Sequence, residues 1–220
     1  MIDHKTITAN TIPEAYRRAV YYIWNFGKVR LDERGDLMKE VRDLKIVIPT
    51  DDISHCAGKL NKTLDDDFAE GLINPELAAK KGTDFDYAYG ANLRKLRQLE
   101  KTIERLCKHP ETRRAVIPLF DKIDNCMTVN EVPCWVIIQF IIRDEQLHAE
   151  VIFRSNNVFG AFPADCYGIR KLQEYVVMRV NEYREMTGEP LISMGDYSHT
   201  ITSAHALIND EKAIRAFLKV

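Results

Sequence analysis

The sequence predicts an α+β protein, and three observations carry that class. Helical and strand-like segments follow one another without the regular alternation of a doubly wound parallel sheet. Two strand-like runs, Cys134 to Ile142 and Leu147 to Arg154, are separated only by Arg143-Asp144-Glu145-Gln146, the spacing of a hairpin. A long helical pattern, Tyr167 to Met186, follows both. With 220 residues, 45% hydrophobic and 29% charged, the chain can bury a full core and reads as a single domain over 1–220.

The elements can be justified in order. Thr11-Ile12-Pro13-Glu14 opens an apolar-periodic run to Trp24 that stops at Gly27, so a polar cap, a first-turn proline and a terminal glycine frame a helix. Leu44 to Pro49 is a short β-branched strand, and Thr50 to Asp67 is polar and irregular enough to be mostly loop. Leu93, Leu96, Leu99, Ile103 and Leu106 recur at helical spacing and predict one amphipathic helix, stopped by His109-Pro110. Arg114 to Phe120 reads as a strand. The unbroken apolar run of Cys134 to Ile142 predicts a strand buried on both faces. Ile169, Leu172, Val176 and Val180 mark one side of the long helix, which Gly188 and Pro190 close. A last strand precedes His205.

The 31 basic and 33 acidic residues leave a net charge of -2, so no global positive field is offered to nucleic acid or an anionic membrane. No apolar run reaches the roughly 18 residues of a membrane span. Met1-Ile2-Asp3-His4-Lys5 lacks the apolar centre of a signal peptide, and a cytoplasmic location is expected. The cysteines, Cys56, Cys107, Cys126, Cys134 and Cys166, show no CxxC or ligand-like spacing, which argues against a disulfide framework and against a metal site.

Pro133-Cys134 opens one strand of the predicted hairpin and Arg154-Ser155-Asn156-Asn157 ends the other, so pairing brings a thiol and a guanidinium to the same end of the sheet. Taken alone, Cys134 reads as a small buried hydrophobe more readily than as a nucleophile, and Arg154 reads equally well as a solvated terminus. Together with the neutral donors of Ser155, Asn156 and Asn157 they form an inventory suited to a phosphate. Gln139, set among apolar residues, needs a buried partner, and a structural hydrogen bond serves it as well as a substrate contact.

The stretch Pro133-Cys134 … Gln139-Phe140 … Arg154-Ser155-Asn156-Asn157-Val158-Phe159-Gly160 … Pro163-Ala164-Asp165 … Tyr167 resembles the active-site core of the thymidylate synthase family. Asp32-Glu33-Arg34-Gly35 resembles the phosphate loop of its short archaeal members, and Tyr89-Gly90 a family dipeptide. His109-Pro110-Glu111-Thr112-Arg113-Arg114 is similar to an arginine pair at the dimer interface, and Ser203-Ala204-His205 to the sugar-contacting segment. The similarity spans roughly residues 15 to 210 and is thin between Thr50 and Lys80.

The resemblance implies a mixed sheet flanked by helices and a homodimer packed through the sheets. It implies that Cys134, helped by nearby arginines, adds as a thiolate to C6 of a pyrimidine nucleoside monophosphate, which turns C5 into a nucleophile toward the one-carbon unit of 5,10-methylenetetrahydrofolate. No metal is needed. Arg34, Arg154 and Ser155 would hold the phosphate, with Asn156, Asn157 and His205 completing the nucleotide contacts and Arg113 and Arg114 reaching in from the partner subunit. The family's proton-relay carboxylate falls within Leu64 to Gly71, where Asp65 and Glu70 are the candidates.

The departures from the synthase pattern are informative. Asp165 stands where synthases carry an asparagine that reads uracil; a carboxylate opposes the acceptor O4 of uracil but accepts from the amino group of cytosine, as in the related cytidylate hydroxymethylases. Trp135 replaces a histidine after the cysteine. Leu207 replaces a tyrosine at the sugar hydroxyl, which leaves ribose and deoxyribose both open, and His199 is a second histidine that could take the place of His205. The chain stops at Val220 without the long tail that caps folate in bacterial synthases, a feature compatible with attack by water. The expected activity is therefore C5 hydroxymethylation of CMP or dCMP. Its rivals are methylation of dUMP, a Cys134 hydrolase with His199 or His205 as base, and a non-catalytic nucleotide-binding module.

Overall fold

The computed structural model describes residues 5–56, 62–77, 88–120 and 132–219, with the side chains of 62–65 outside that set. Strands β1 (Lys5–Thr8), β2 (Lys28–Leu31), β3 (Leu37–Ile48), β4 (Val116–Pro118), β5 (Trp135–Arg143), β6 (Gln146–Asn157) and β7 (Ser193–Leu207) form one mixed sheet in the order β1-β3-β7-β6-β5-β4, with β2 also paired to β3. β6 and β7 are parallel, as are β1 and β3; the remaining neighbours are antiparallel.

Helix α1 (Ile12–Phe26) is capped as its sequence implies: the Thr11 hydroxyl accepts from the Glu14 amide and Gly27 follows the last turn. α1 and α5 (Phe162–Thr187) cover the inner face of the sheet, and α2 (Lys62–Ile73) and α4 (Gln98–Lys108) pack on α5. At Gly168 of α5 an added Cβ would lie 2.5 Å from the Phe68 ring of α2, so that crossing depends on the missing side chain. α6 (Glu211–Leu218) closes the chain, with Phe217 4.7 Å from the Tyr16 ring of α1.

Several sequence expectations need correction. The stripe from Leu93 to Leu106 is two helices, α3 (Tyr89–Arg94) and α4, because Leu96 and Arg97 take left-handed conformations (φ 56° and 58°) that break the hydrogen-bond ladder. Leu96 is consequently 83% exposed. β5 is not buried on both faces: Ile138, Phe140 and Ile142 enter the core, while Ile137, Gln139 and Ile141 are only half-buried. The polar stretch expected to be mostly loop contains the start of α2, and α5 begins at Phe162, which places Asp165 in its first turn. β1, β2 and α6 carry too few periodic residues to be foreseen, and the strand around Leu44 is far longer than its apolar stretch. The hairpin is as expected, with Asp144 and Glu145 both at positive φ (50° and 57°), the backbone of a two-residue type I′ turn.

The feature that positions the site is a bend crossing three adjacent strands. Core-facing residues change parity along one line: Val41 gives way to Leu44 in β3, Ile201 to Ala204 in β7, and Phe153 to Asn156 in β6. A left-handed Asp43 (φ 60°) adds a backbone turn in β3, and β5 carries a bulge of its own beside the line, between Trp135 and Ile137.

On the core side of this line His199 is fully buried, its ring 4.3 Å from that of Phe153 and its Nδ1 2.7 Å from Tyr197 Oη. Burial pushes its pKa down to about 3, so the folded ring is neutral. From about pH 6.5 down to 3 the unfolded chain binds a proton that the folded chain refuses, so stability falls with falling pH across that window. Urea titrations should show a steeper acid loss for the wild type than for His199→Gln, by up to about 1.4 kcal/mol per pH unit. Equal slopes would mean that the ring is not held neutral.

Candidate active site

Cys134 lies immediately before β5, half-buried, and its backbone N–H donates to the Tyr89 hydroxyl at 3.1 Å; the Trp135 N–H donates to the same oxygen at 3.0 Å. Tyr89 begins α3 and its ring lies 5.4 Å from that of Trp135, so one phenol fixes the chain at Cys134 from outside the sheet. Sequence reasoning finds Tyr89 only as part of a dipeptide. Its spacing from Cys134 carries no local signal of this contact.

Arg154 is the residue on the bend of β6. Its amide donates to the Cys134 carbonyl at 2.8 Å, and its guanidinium donates through Nε to Pro133 O at 3.0 Å and through Nη2 to Val132 O. The Ser155 hydroxyl lies 3.6 Å from Cys134 Sγ and 3.4 Å from Arg154 Nη1, between thiol and cation. With its stem pinned by two carbonyls, the exposed fork is oriented toward one end of the site, and its remaining N–H groups suit an anion.

Asn156 and Asp165 meet where β6 ends and α5 begins. Asn156 is 2% exposed and its Nδ2 donates to Asp165 Oδ2 at 2.7 Å. Asn157 turns away, its Oδ1 accepting from the Gly160 amide at 3.2 Å, and it pairs in register with His205 of β7. Burial lowers the His205 pKa, partly offset by the Ser203 carbonyl 3.4 Å from Nδ1 and by Glu40. A neutral His205 donating from Nδ1 keeps Nε2 as an acceptor. Arg34 sits at the exposed tip of the β2–β3 hairpin, where Gly35 takes φ 88° and Asp32 Oδ1 accepts from the Arg34 amide at 2.9 Å.

Other predicted residues are not brought to the thiol. The β4–β5 register places Arg114 level with Ile141, on the order of 20 Å along the strand from Cys134, and Arg113 beside it is exposed. Gln139 has its partner in the Arg113 carbonyl at 2.9 Å, so it serves the structure. Glu70 is exposed on α2, and the side chain of Asp65 lies outside the described residues. Asp66 makes the contact in this region instead: its Oδ1 accepts from the Tyr167 hydroxyl at 3.0 Å and lies 3.0 Å from His55 Nε2, while His55 stacks on Tyr167 at 3.9 Å. Sequence reasoning misses it because three successive aspartates, Asp65 to Asp67, give no signal for which one faces inward. Cys126 lies outside the described residues. His199 is too deeply buried and too weakly basic to serve as the base of a hydrolase near neutral pH.

A thiol and a pinned cation at the end of β6, followed by a carboxylate at the start of α5, suit a planar heterocycle carrying an anionic group. That is the chemistry of enzymes that add cysteine to nucleotide bases. The thymidylate synthase family model matches residues 14–219, and the chain belongs to the thymidylate synthase family. It is 37% identical over 202 residues to a protein of Methanosarcina mazei named "Putative thymidylate synthase", covering 89% of this chain and 90% of that one. A Methanococcoides burtonii protein of the same name is 34% identical, covering 98% and 95% of the two chains, and one from Methanocaldococcus jannaschii is 27% identical, covering 90% and 89%. Members of the family are one-carbon transferases on pyrimidine nucleotides and use 5,10-methylenetetrahydrofolate as donor.

The double acceptance by Tyr89 generates a prediction. Tyr89→Phe keeps the ring packing but leaves the amides of Cys134 and Trp135 without this acceptor, at roughly 1–3 kcal/mol of stability. Thermal unfolding should register that loss, and kcat should fall at least about ten-fold with little change in KM, because the thiol and not the nucleotide site is displaced. A variant with wild-type kcat would show that Tyr89 does not position Cys134.

Proposed function

We propose that the protein transfers a hydroxymethyl group to C5 of a cytidine monophosphate nucleotide, CMP or dCMP, giving the 5-hydroxymethyl nucleotide and tetrahydrofolate. The observation that carries this reading is the Asn156 amide donating to Asp165 at 2.7 Å, which favours an ionised, acceptor-only carboxylate. Such a group accepts from the cytosine amino group and opposes uracil O4. The residues fit this substrate: Arg154 and Ser155 take the phosphate with Arg34, and the half-exposed thiol leaves its open side to a second substrate bearing the one-carbon unit. That donor, 5,10-methylenetetrahydrofolate, supplies the carbon at formaldehyde oxidation level.

Cys134 adds as thiolate to C6 and makes C5 a nucleophile, while Asp165 stabilises the protonated N3 and amino edge of the adduct; C5 takes up the one-carbon unit and loses its proton, tetrahydrofolate leaves, water adds its hydroxyl to the resulting exocyclic methylene and gives up a proton, and elimination of the thiolate restores the ring. The placement of Arg113 and Arg114 far from their own thiol supports their delivery to the phosphate of a partner subunit. The half-buried face formed by Ile137, Gln139 and Ile141, next to Ile152, is the surface on which a homodimer would pack through the sheets. We read 1–220 as one catalytic domain acting in the cytoplasm, a compartment that suits Cys56, Cys107, Cys134 and Cys166, none of which is joined in a disulfide. The names of the relatives support a second reading, methylation of dUMP, which requires Asp165 to carry a proton or turn away.

Incubation with CMP, dCMP, UMP and dUMP in the presence of the donor, followed by mass analysis, should yield a hydroxymethyl cytidylate; thymidylate as the main product would overturn the proposal. Cys134→Ser should bind nucleotide and lose nearly all turnover. Asp165→Asn should lower kcat/KM for cytidylate by about one to two powers of ten and raise it for uridylate. Mixing Cys134→Ser and Arg114→Ala subunits should restore activity at one site of the heterodimer; absence of rescue after verified subunit exchange would remove the arginines from the site.

A further inference from the structure

We infer that Asn156 is a positioning residue for base choice, holding Asp165 in its acceptor form; this rests on the cytidylate reading above. Asn156 comes from the sheet, just past the bend, and its side chain is directed inward by the parity change after Phe153. Asp165 comes from the first turn of α5, and the 2.7 Å contact joins the two elements.

An amide can face a carboxylate in two ways, and here the two are not equivalent. Among the described residues Asn156 Oδ1 is buried with no hydrogen-bond partner. Turning the amide over would set Oδ1 against Asp165 Oδ2, acceptor against acceptor, and lose the one hydrogen bond that this side chain makes among the described residues. Donation to Asp165 is therefore the orientation that an ionised Asp165 favours. If Asp165 took a proton on the oxygen that faces the base, the carboxyl would offer a donor there; the amide donation to Oδ2 opposes this by favouring the charged form. The Asn156 contact and base preference are thus linked through the protonation of Asp165. A family asparagine at position 165 would need no such guard, since an amide offers donor and acceptor at once.

The near-isosteric Asn156→Asp tests this without changing shape. Two carboxyl groups at that separation cannot both ionise, so the pair shares a proton, and Asp165 can present an O–H to uracil O4. Binding of CMP, dCMP, UMP and dUMP is measured by calorimetry on Cys134→Ser protein as parent and on the same protein carrying Asn156→Asp or Asn156→Ala, each checked by thermal unfolding and by inorganic phosphate affinity. We expect the cytidylate-to-uridylate affinity ratio to fall about ten-fold or more in both variants, with uridylate affinity rising in Asn156→Asp and phosphate affinity within about two-fold of the parent. A ratio unchanged in folded Asn156→Asp protein, or an equal loss for both bases, would reduce Asn156 to a structural contact and overturn the inference while leaving the cytidylate reading intact. A parent that prefers uridylate would overturn the cytidylate reading, and the inference with it.

Discussion

Everything at the site depends on the bend that crosses β3, β7 and β6. A regular strand exposes one face to solvent and one to the core along its whole length, so Arg154 and Asn156, an even number of residues apart, would share a face for good. The bend releases them from that rule. Core packing proceeds up to Phe153 and Ile201, the backbone steps out of phase, and the residues beyond are divided between the Cys134 thiol and the Asp165 carboxylate. Since three strands step together, the displacement is propagated through the sheet's hydrogen bonds and is not a property of one strand.

Around the thiol, support comes from groups distant in sequence. Tyr89 holds its two amides, Trp135 packs parallel to Phe153 with its Nε1 donating to the Ile137 carbonyl, and Phe68 of α2 leans on Tyr89. These contacts link α2 and α3 to the strand end by aromatic packing. The cluster accounts for Trp135 at a position where the family resemblance leads one to expect histidine: here the side chain belongs to the core and has no proton to exchange with solvent.

Much of the fold is legible from local patterns. Thr11, Pro13 and Gly27 frame α1 because capping is a short-range effect, and the hairpin at Asp144-Glu145 follows from strand spacing. The thiol, Arg154 and Asp165 are legible as a motif. Tertiary pairing hides the rest: β1 and β2 are held by β3 and not by their own pattern, and Leu96 fits a helical stripe that the backbone interrupts. Asp66 and Tyr89 act across gaps in the chain that no periodicity spans. Asn156, which the sequence shows as one of several neutral donors at the phosphate, is turned to the carboxylate by the change of parity.

Arg170 shows how the loop that follows β3 is held against α5. Its fully buried guanidinium donates to the carbonyls of Thr50, Asp52 and Gly195 and to Gln173 Oε1, all neutral oxygens. Neutral acceptors do not titrate, and salt does not screen contacts from which ions are excluded. Exposed pairs such as Arg18 with Glu14 or Lys108 with Glu104 loosen as ionic strength rises. This junction would keep its strength in concentrated salt as in dilute buffer, so the loop's docking is insulated from the ionic strength around the protein.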